Sequence, residues 1–350
     1  MRRVLALLLS MALLLPGCAS MLERDHLSVS PHVNQTMLSD NPSILRAENY
    51  QGLVNGVLYF VSQGMESGTI RLTKYTGDPE VDLAAVSAEV QEEDPLGAYA
   101  LEGMEYAYSL IVSYYECSFT FAYRRTAEQL DALRTISGSS AIRAELKRAL
   151  QERRTETAFR ASSYYAREDT LRALLDEAYR ELGLAALGMP EVELTLYPQL
   201  EGGSQRIAEL AFTFEQGQLE AEEHYQANVR RIQELAAGQY GSDTEAALAF
   251  AGAVTYLPDG PSSTYAALSG DGADSLGVAL ACQAACEAYG LTCQTVTGRR
   301  DGLPHSWNVV RVDGVYRHMD AAREPALLSD DEMTGYHWDR DAVPPCPAEE

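Results

Sequence analysis

One stretch near the C-terminal end, LPHSWNVVRVDGVYRHMD (303–320), carries residues whose spacing permits acid–base chemistry. Asp313-Gly314 separates two β-rich runs, and Asp-Gly between alternating apolar residues is the strongest short-range signal for a two-residue hairpin. With Val312 facing Val315, Trp307 falls opposite Asp320. His305, Trp307 and Val309 then share one sheet face with Tyr316, His318 and Asp320, because side chains alternate along a strand. His305 and Asp320 become diagonal neighbours, close enough for a carboxylate to orient an imidazole as a general base.

A partner for such a base is expected thirty residues earlier. Ser275 precedes LGVALACQAACEAYG, in which Ala279, Cys282, Cys286 and Tyr289 form one helical stripe that stops at Gly290. Ser275 is expected at or near the helix N-cap, where backbone N–H groups and the helix dipole favour a nucleophile. A thiol there would be strongly activated, whereas a serine hydroxyl is almost undissociated at neutral pH and needs a well-placed base and an oxyanion hole. Cys282 lies about 10 Å further along the helix, beyond the dipole's help, and reads as a buried core residue. His305, His318 and Asp320, with His337 close in sequence, are also of zinc-ligand types. The plain alternative for Trp307 and His318 is packing and hydrogen bonding at the sheet surface.

Helix with a nucleophile at its start, strand with His-Ser-Trp-Asn, Asp-Gly hairpin, strand with His-x-Asp: this order resembles the core pattern of the transglutaminase-like superfamily. The match runs from about Tyr265 to Pro325, roughly a sixth of the chain, and HSWNVV with DGVYRHMD is its more specific part. The resemblance implies a papain-like α+β core without metal or cofactor. Within it His305 matches the catalytic histidine and Asp320 its orienting acid, with Trp307, Asn308 and His318 in support. Family members include transglutaminases, thiol proteases and peptide N-glycanases. This chain departs at the nucleophile, placing Ser275 where the family has cysteine, and Gly277 keeps only part of the pattern that follows. The expected role is therefore a non-catalytic binding or structural module with a surface protein, peptide or glycan as ligand. The alternative is an acyl-transfer or amide-hydrolysing enzyme using Ser275, His305 and Asp320 as a triad.

The rest of the chain must deliver and support this region. MRRVLALLLSMALLLPGCAS combines two arginines, an apolar run from Leu5 to Leu15 and a small-residue cleavage site. The run is too short for a spanning helix and reads as a signal peptide, residues 1–17. Leu15-Pro16-Gly17-Cys18 resembles the lipobox of bacterial lipoproteins, which implies an acylated Cys18 and an extracytoplasmic, lipid-anchored protein. Residues 18–45 read as the tether. The net charge of −24 argues against nucleic acid as a partner. Beyond Cys18 there are five cysteines, Cys117, Cys282, Cys286, Cys293 and Cys346, an odd number in a long chain and so no disulfide scaffold, although one bridge involving Cys293 is allowed.

Between tether and candidate site, residues 46–240 alternate strand-like and helix-like segments and are expected to form an N-terminal α/β domain. Residues 45–64 read as one helix, 68–75 as a strand and 108–125 as one long aromatic strand. Two further helices are expected over 126–136 and 139–153. VELTLYPQLEGGSQRIAELAFTF reads as a hairpin around Gly202-Gly203. The 20 tyrosines are best explained as sheet-packing residues with their hydroxyls at the rim. Residues 241–338 form the expected transglutaminase-like domain, and 339–350 an acidic, proline-rich tail. The expected fold class is thus α+β, an α/β domain followed by a papain-like α+β core.

Overall fold

The computed structural model describes residues 41–199, 203–323 and 327–348. The expected signal peptide, Cys18 and all but the last residues of the tether lie outside the described residues. The fold is mixed α+β, in two compact units. One holds residues up to 145 together with 156–174 and 193–211, and the other holds 146–155, 175–192 and 212–350. The second unit therefore takes in residues well before 241.

In the first unit the order is β1 (Ile44–Ala47), α1 (Tyr50–Ser62), β2 (Ser67–Leu72), α2 (Pro79–Ala88), a π-helical turn (Glu89–Glu93), α3 (Pro95–Ala100), β3 (Leu101–Ile111) and β4 (Tyr114–Tyr123). The sheet order is β1-β2-β4-β3, with β1 parallel to β2 and the other pairs antiparallel. Leu53, Val57, Phe60 and Val61 of α1 pack on Ile70, Leu72 and Phe119 of the sheet.

Two sequence expectations change here. Residues 45–64 are not one helix: Asn49 caps α1 by accepting the Gly52 N–H at 2.9 Å, which frees Ile44–Ala47 to pair with β2. The expected long strand over 108–125 is broken at Val112-Ser113, where β3 and β4 fold back on each other. Ser113 is the one turn-type residue there, and without Gly, Asn, Asp or Pro beside it a turn is only weakly signalled.

Next come α4 (Ala127–Ala132), β5 (Arg134–Thr135), α5 (Ser139–Gln151), β6 (Glu156–Ser162), α6 (Glu168–Arg180), β7 (Glu191–Tyr197) and β8 (Gln205–Thr213). The helix expected over 126–136 is short, and Arg134–Thr135 instead pairs with β6. These strands form a sheet ordered β5-β6-β8-β7. The alternation of strands and helices is real, but the strands pair largely with antiparallel neighbours, so it does not build the parallel sheet of an α/β domain.

The second unit continues with α7 (Gln218–Ala236), α8 (Asp243–Gly252), α9 (Thr264–Ser269), α10 (Ser275–Tyr289), β9 (Cys293–Arg300), β10 (Leu303–Val312), β11 (Val315–Met319), β12 (Leu327–Leu328) and β13 (Tyr336–His337). The strands form an antiparallel sheet ordered β12-β11-β10-β9-β13. Helix α10 packs against β9 and β10 with Val278, Cys282 and Cys286 facing Val310 and Met319. The opposite sheet face buries Val296, Trp307, Val309, Leu328, Met333 and Tyr336. Strand β10 is consequently buried on both faces from His305 to Val310. Among the described residues no helix is long and apolar enough to cross a membrane.

The β10–β11 turn has the backbone its sequence predicts, with φ of 50° at Asp313 and 88° at Gly314. Its register pairs Val312 with Val315 and Asn308 with Met319. Asp313 does more than turn the chain. Its carboxylate accepts the N–H groups of Asp243 and Thr244 at the start of α8, and Asp243 in return accepts the Asp313 N–H.

Candidate functional site

Ser275 is the first residue of α10, one position inside the cap. The cap is Asp274, whose carboxylate accepts the Gly277 N–H at 2.8 Å. Gly277 is required by close approach: a Cβ there would lie 2.6 Å from the Ser263 backbone nitrogen. Held in this way, Ser275 Oγ accepts the backbone N–H of Ser306 at 3.1 Å. Among the described residues its hydroxyl makes no hydrogen bond to His305.

His305 is buried near the start of β10, its Nε2 2.9 Å from Asp320 Oδ2. Its ring lies 6.2 Å from Trp307 in stacked orientation and meets the rings of Tyr256 and Tyr336 edge-on. With Nε2 on the carboxylate, Nδ1 is the nitrogen left for proton exchange.

Asp320 is only 2 % exposed and supported from several sides. The Tyr336 hydroxyl donates to Oδ2 at 2.5 Å, the Ala322 N–H donates to Oδ1 at 3.0 Å, and the Arg300 guanidinium stands 3.6 Å away. Burial alone would raise its carboxyl, but the hydrogen bonds from His305 and Tyr336 outweigh burial and hold it below the ordinary carboxylate value. The same contacts push the Tyr336 hydroxyl up, burial first and the carboxylate second. Tyr336 and Arg300 were not legible as site residues, since neither belongs to the hairpin whose register could be derived.

His318 is fully buried and serves a separate network. The Trp307 indole N–H donates to His318 Nδ1 at 2.9 Å, and His318 Nε2 is 2.9 Å from Asp330 Oδ1. An indole nitrogen only donates, so Nδ1 must be the acceptor and Nε2 must carry the proton toward Asp330. Burial keeps this imidazole below its ordinary value despite the nearby carboxylate.

The tautomer bears on metal binding. Ligand atoms of His318, Asp330 and Cys346 lie within 4.8 Å of one another, whereas His305 belongs with Asp320 and His337 sits exposed on β13 outside the cluster. A cation on His318 Nε2 would need that nitrogen deprotonated and Nδ1 protonated against the Trp307 N–H. The second Asp330 oxygen already accepts the Cys346 N–H at 2.9 Å. These donors are committed to one another and do not fit a metal.

Asn308, 1 % exposed, points to the α10 side and donates from Nδ2 to the Ala279 carbonyl at 2.9 Å and to Thr295 Oγ1 at 3.3 Å. It fastens helix to sheet behind Ser275. Cys282 is buried with its thiol toward the Phe250 carbonyl at 4.0 Å, and burial drives its ionisation far above the ordinary thiol range. All five described cysteines are free thiols. Cys293, for which the sequence allows a bridge, is held un-ionised by a hydrogen bond with Cys286 and by burial.

No protein-family model matches the sequence, and no curated protein matches it. Among solved structures the chain is similar to a transglutaminase (TGase), at 19% identity over 49% of this chain and 52% of that one, with a TM-score of 0.24. It is also similar to a protein from Cytophaga hutchinsonii assigned as a cysteine protease, at 13% identity over 40% of this chain and 65% of that one, again with a TM-score of 0.24. The chain thus spans about half the length of the first and just under two thirds of the second. Likeness at that level does not carry a fold or an activity, so the functional reading rests on the residues themselves.

Proposed function

We propose that the second unit is a transglutaminase-like module that binds its ligand without turning it over, displayed outside the cytoplasmic membrane on a lipid anchor at Cys18. The observation that carries this reading is the use of Ser275. Its oxygen is an acceptor for the Ser306 N–H, on the side of β10 that faces α10, while the imidazole is engaged with Asp320. A hydroxyl without a base to take its proton is a poor nucleophile. The module's expected ligand is a surface protein, peptide or glycan.

A second reading is favoured by one observation, the intact acid–base pair. Asp320 is kept ionised and orients His305, which is what a triad with Ser275 would require. Labelling separates the two. Under the first reading the wild-type chain resists a fluorophosphonate, and the thiol of Ser275→Cys is alkylated by iodoacetamide at a rate that His305→Ala leaves unchanged. Labelling of wild-type Ser275, or turnover of a peptide amide, that vanishes in His305→Ala would establish the triad instead.

A further inference from the structure

At the outer edge of the first sheet, the ten residues from Tyr106 to Tyr115 contain no charge. Leu110 is 61% exposed and Val112 97%, and Tyr106, Tyr108 and Ile111 are exposed beside them. Val112 is the central residue of a tight turn, with φ of 52° and the Ser113 N–H bonded to the Ile111 carbonyl at 2.5 Å. A three-residue turn with positive φ is rare and strained, and a β-branched residue is poorly suited to it. Folding alone would be better served by glycine or asparagine. A branched apolar side chain held in water at a strained turn breaks local rules in the manner of a functional site.

We propose that this hairpin tip inserts into the interface of a zwitterionic lipid bilayer. The residue order matches the layers it would meet. Leu110, Ile111 and Val112 lead, and Tyr106, Tyr108, Tyr114 and Tyr115 follow at the depth where tyrosines favour the headgroup region. Glu105 and Glu116 bracket the segment, and a chain of net charge −24 is repelled by anionic lipids, so neutral headgroups are the surface it fits. β3 is an edge strand whose outward backbone groups need water or headgroups, which limits entry to the interface.

Delivery rests on the anchor reading above. The chain between Cys18 and Asn41 can extend by up to about 75 Å. From the start of β1 to the tip is roughly 20 Å along the strands and 14 Å across the sheet. The tether therefore lets the tip reach the bilayer that holds the anchor, and a single weak contact plus an acyl anchor is the pairing that makes attachment stable.

The test uses the chain from Ala19, which keeps every described residue and carries no acyl group, with sedimenting phosphatidylcholine vesicles. The expected result is co-sedimentation whose partition coefficient falls at least tenfold in Leu110→Ser/Val112→Ser. Leu219→Ser, an exposed apolar residue on α7, is the control and leaves it unchanged. No co-sedimentation, or co-sedimentation indifferent to the tip, overturns the proposal. So does a concentration-dependent dimer abolished by the same tip variant, which would make β3 a pairing edge between copies. The anchor reading is scored separately by mass spectrometry of Cys18 in the full chain, so either can fail without the other.

Discussion

Replacing Trp307 by phenylalanine tests the buried network beside the candidate site. The indole N–H is the donor on His318 Nδ1, and both side chains are almost wholly buried. Trp307→Phe leaves that nitrogen without a donor, costing about 1–3 kcal/mol. The smaller ring leaves a void among His305, Tyr336 and Trp338, costing about 1 kcal/mol more. The expected loss is therefore about 2–4 kcal/mol, read by urea unfolding followed by circular dichroism. A second signature separates hydrogen bonding from packing. Burial holds the His318 imidazole below its ordinary value, so its contribution is complete above about pH 6.5 and is lost as pH falls through the lowered value. In the variant Nδ1 no longer faces an N–H and can accept a proton, so the fall in stability on acidification should shrink. A loss under about 1 kcal/mol, or an unchanged pH slope, would refute the tautomer assignment.

Asp320→Asn should cost about 3 kcal/mol in thermal unfolding of the full chain, since a buried carboxylate with three donors is replaced by a group that opposes at least one of them; a change under 1 kcal/mol would mean the pair is solvated. Asp320 sits below its ordinary value, so its contribution is complete above about pH 4 and disappears as pH falls further, which acid unfolding of wild type against this variant would reveal. Gly277→Ala should cost roughly 1–3 kcal/mol because its Cβ meets backbone atoms of Ser263, and chemical denaturation that finds no loss would show that the α10 start can shift. Asp313→Ala should lower the melting midpoint by removing the acceptor for the first two N–H groups of α8, whose Ser242 cap remains, and Asp313→Asn, which keeps an acceptor and tolerates the turn, should recover most of it; equal midpoints for both would deny that role.

What the sequence made legible was local. Asp313-Gly314 defines its own turn, and counting outward from it puts His305 diagonal to Asp320 and Trp307 on the same face as His318, where the structure pairs each by a hydrogen bond. The same reasoning had little purchase on Val112-Ser113, where the positive φ falls on a β-branched valine and Ser113 alone favours a turn. Ser275 falls next to the cap, within its expected place at or near the N-cap; Asp274 and Ser275 are both acceptable caps, and only the Gly277 hydrogen bond separates them. Tyr336, Arg300 and Asp330 reach the site through tertiary packing across loops of no fixed length, which leaves no periodicity to read. In the first unit the alternation of strands and helices was legible, but pairing direction depends on contacts between distant segments.

Strand β10 divides the second unit into two buried compartments, one sealed by α10 and the other holding the His305, Trp307 and Asp320 side chains. Because successive residues serve opposite compartments, shifting the strand by one position would exchange every occupant, presenting Ser306 and Asn308 to the aromatic side and His305 to the helix. Length is thus as constrained as identity between Leu303 and Met319. Point substitutions there can be absorbed one compartment at a time, but a one-residue insertion or deletion would damage both, so sequence drift in this segment should proceed by replacement and not by change of length.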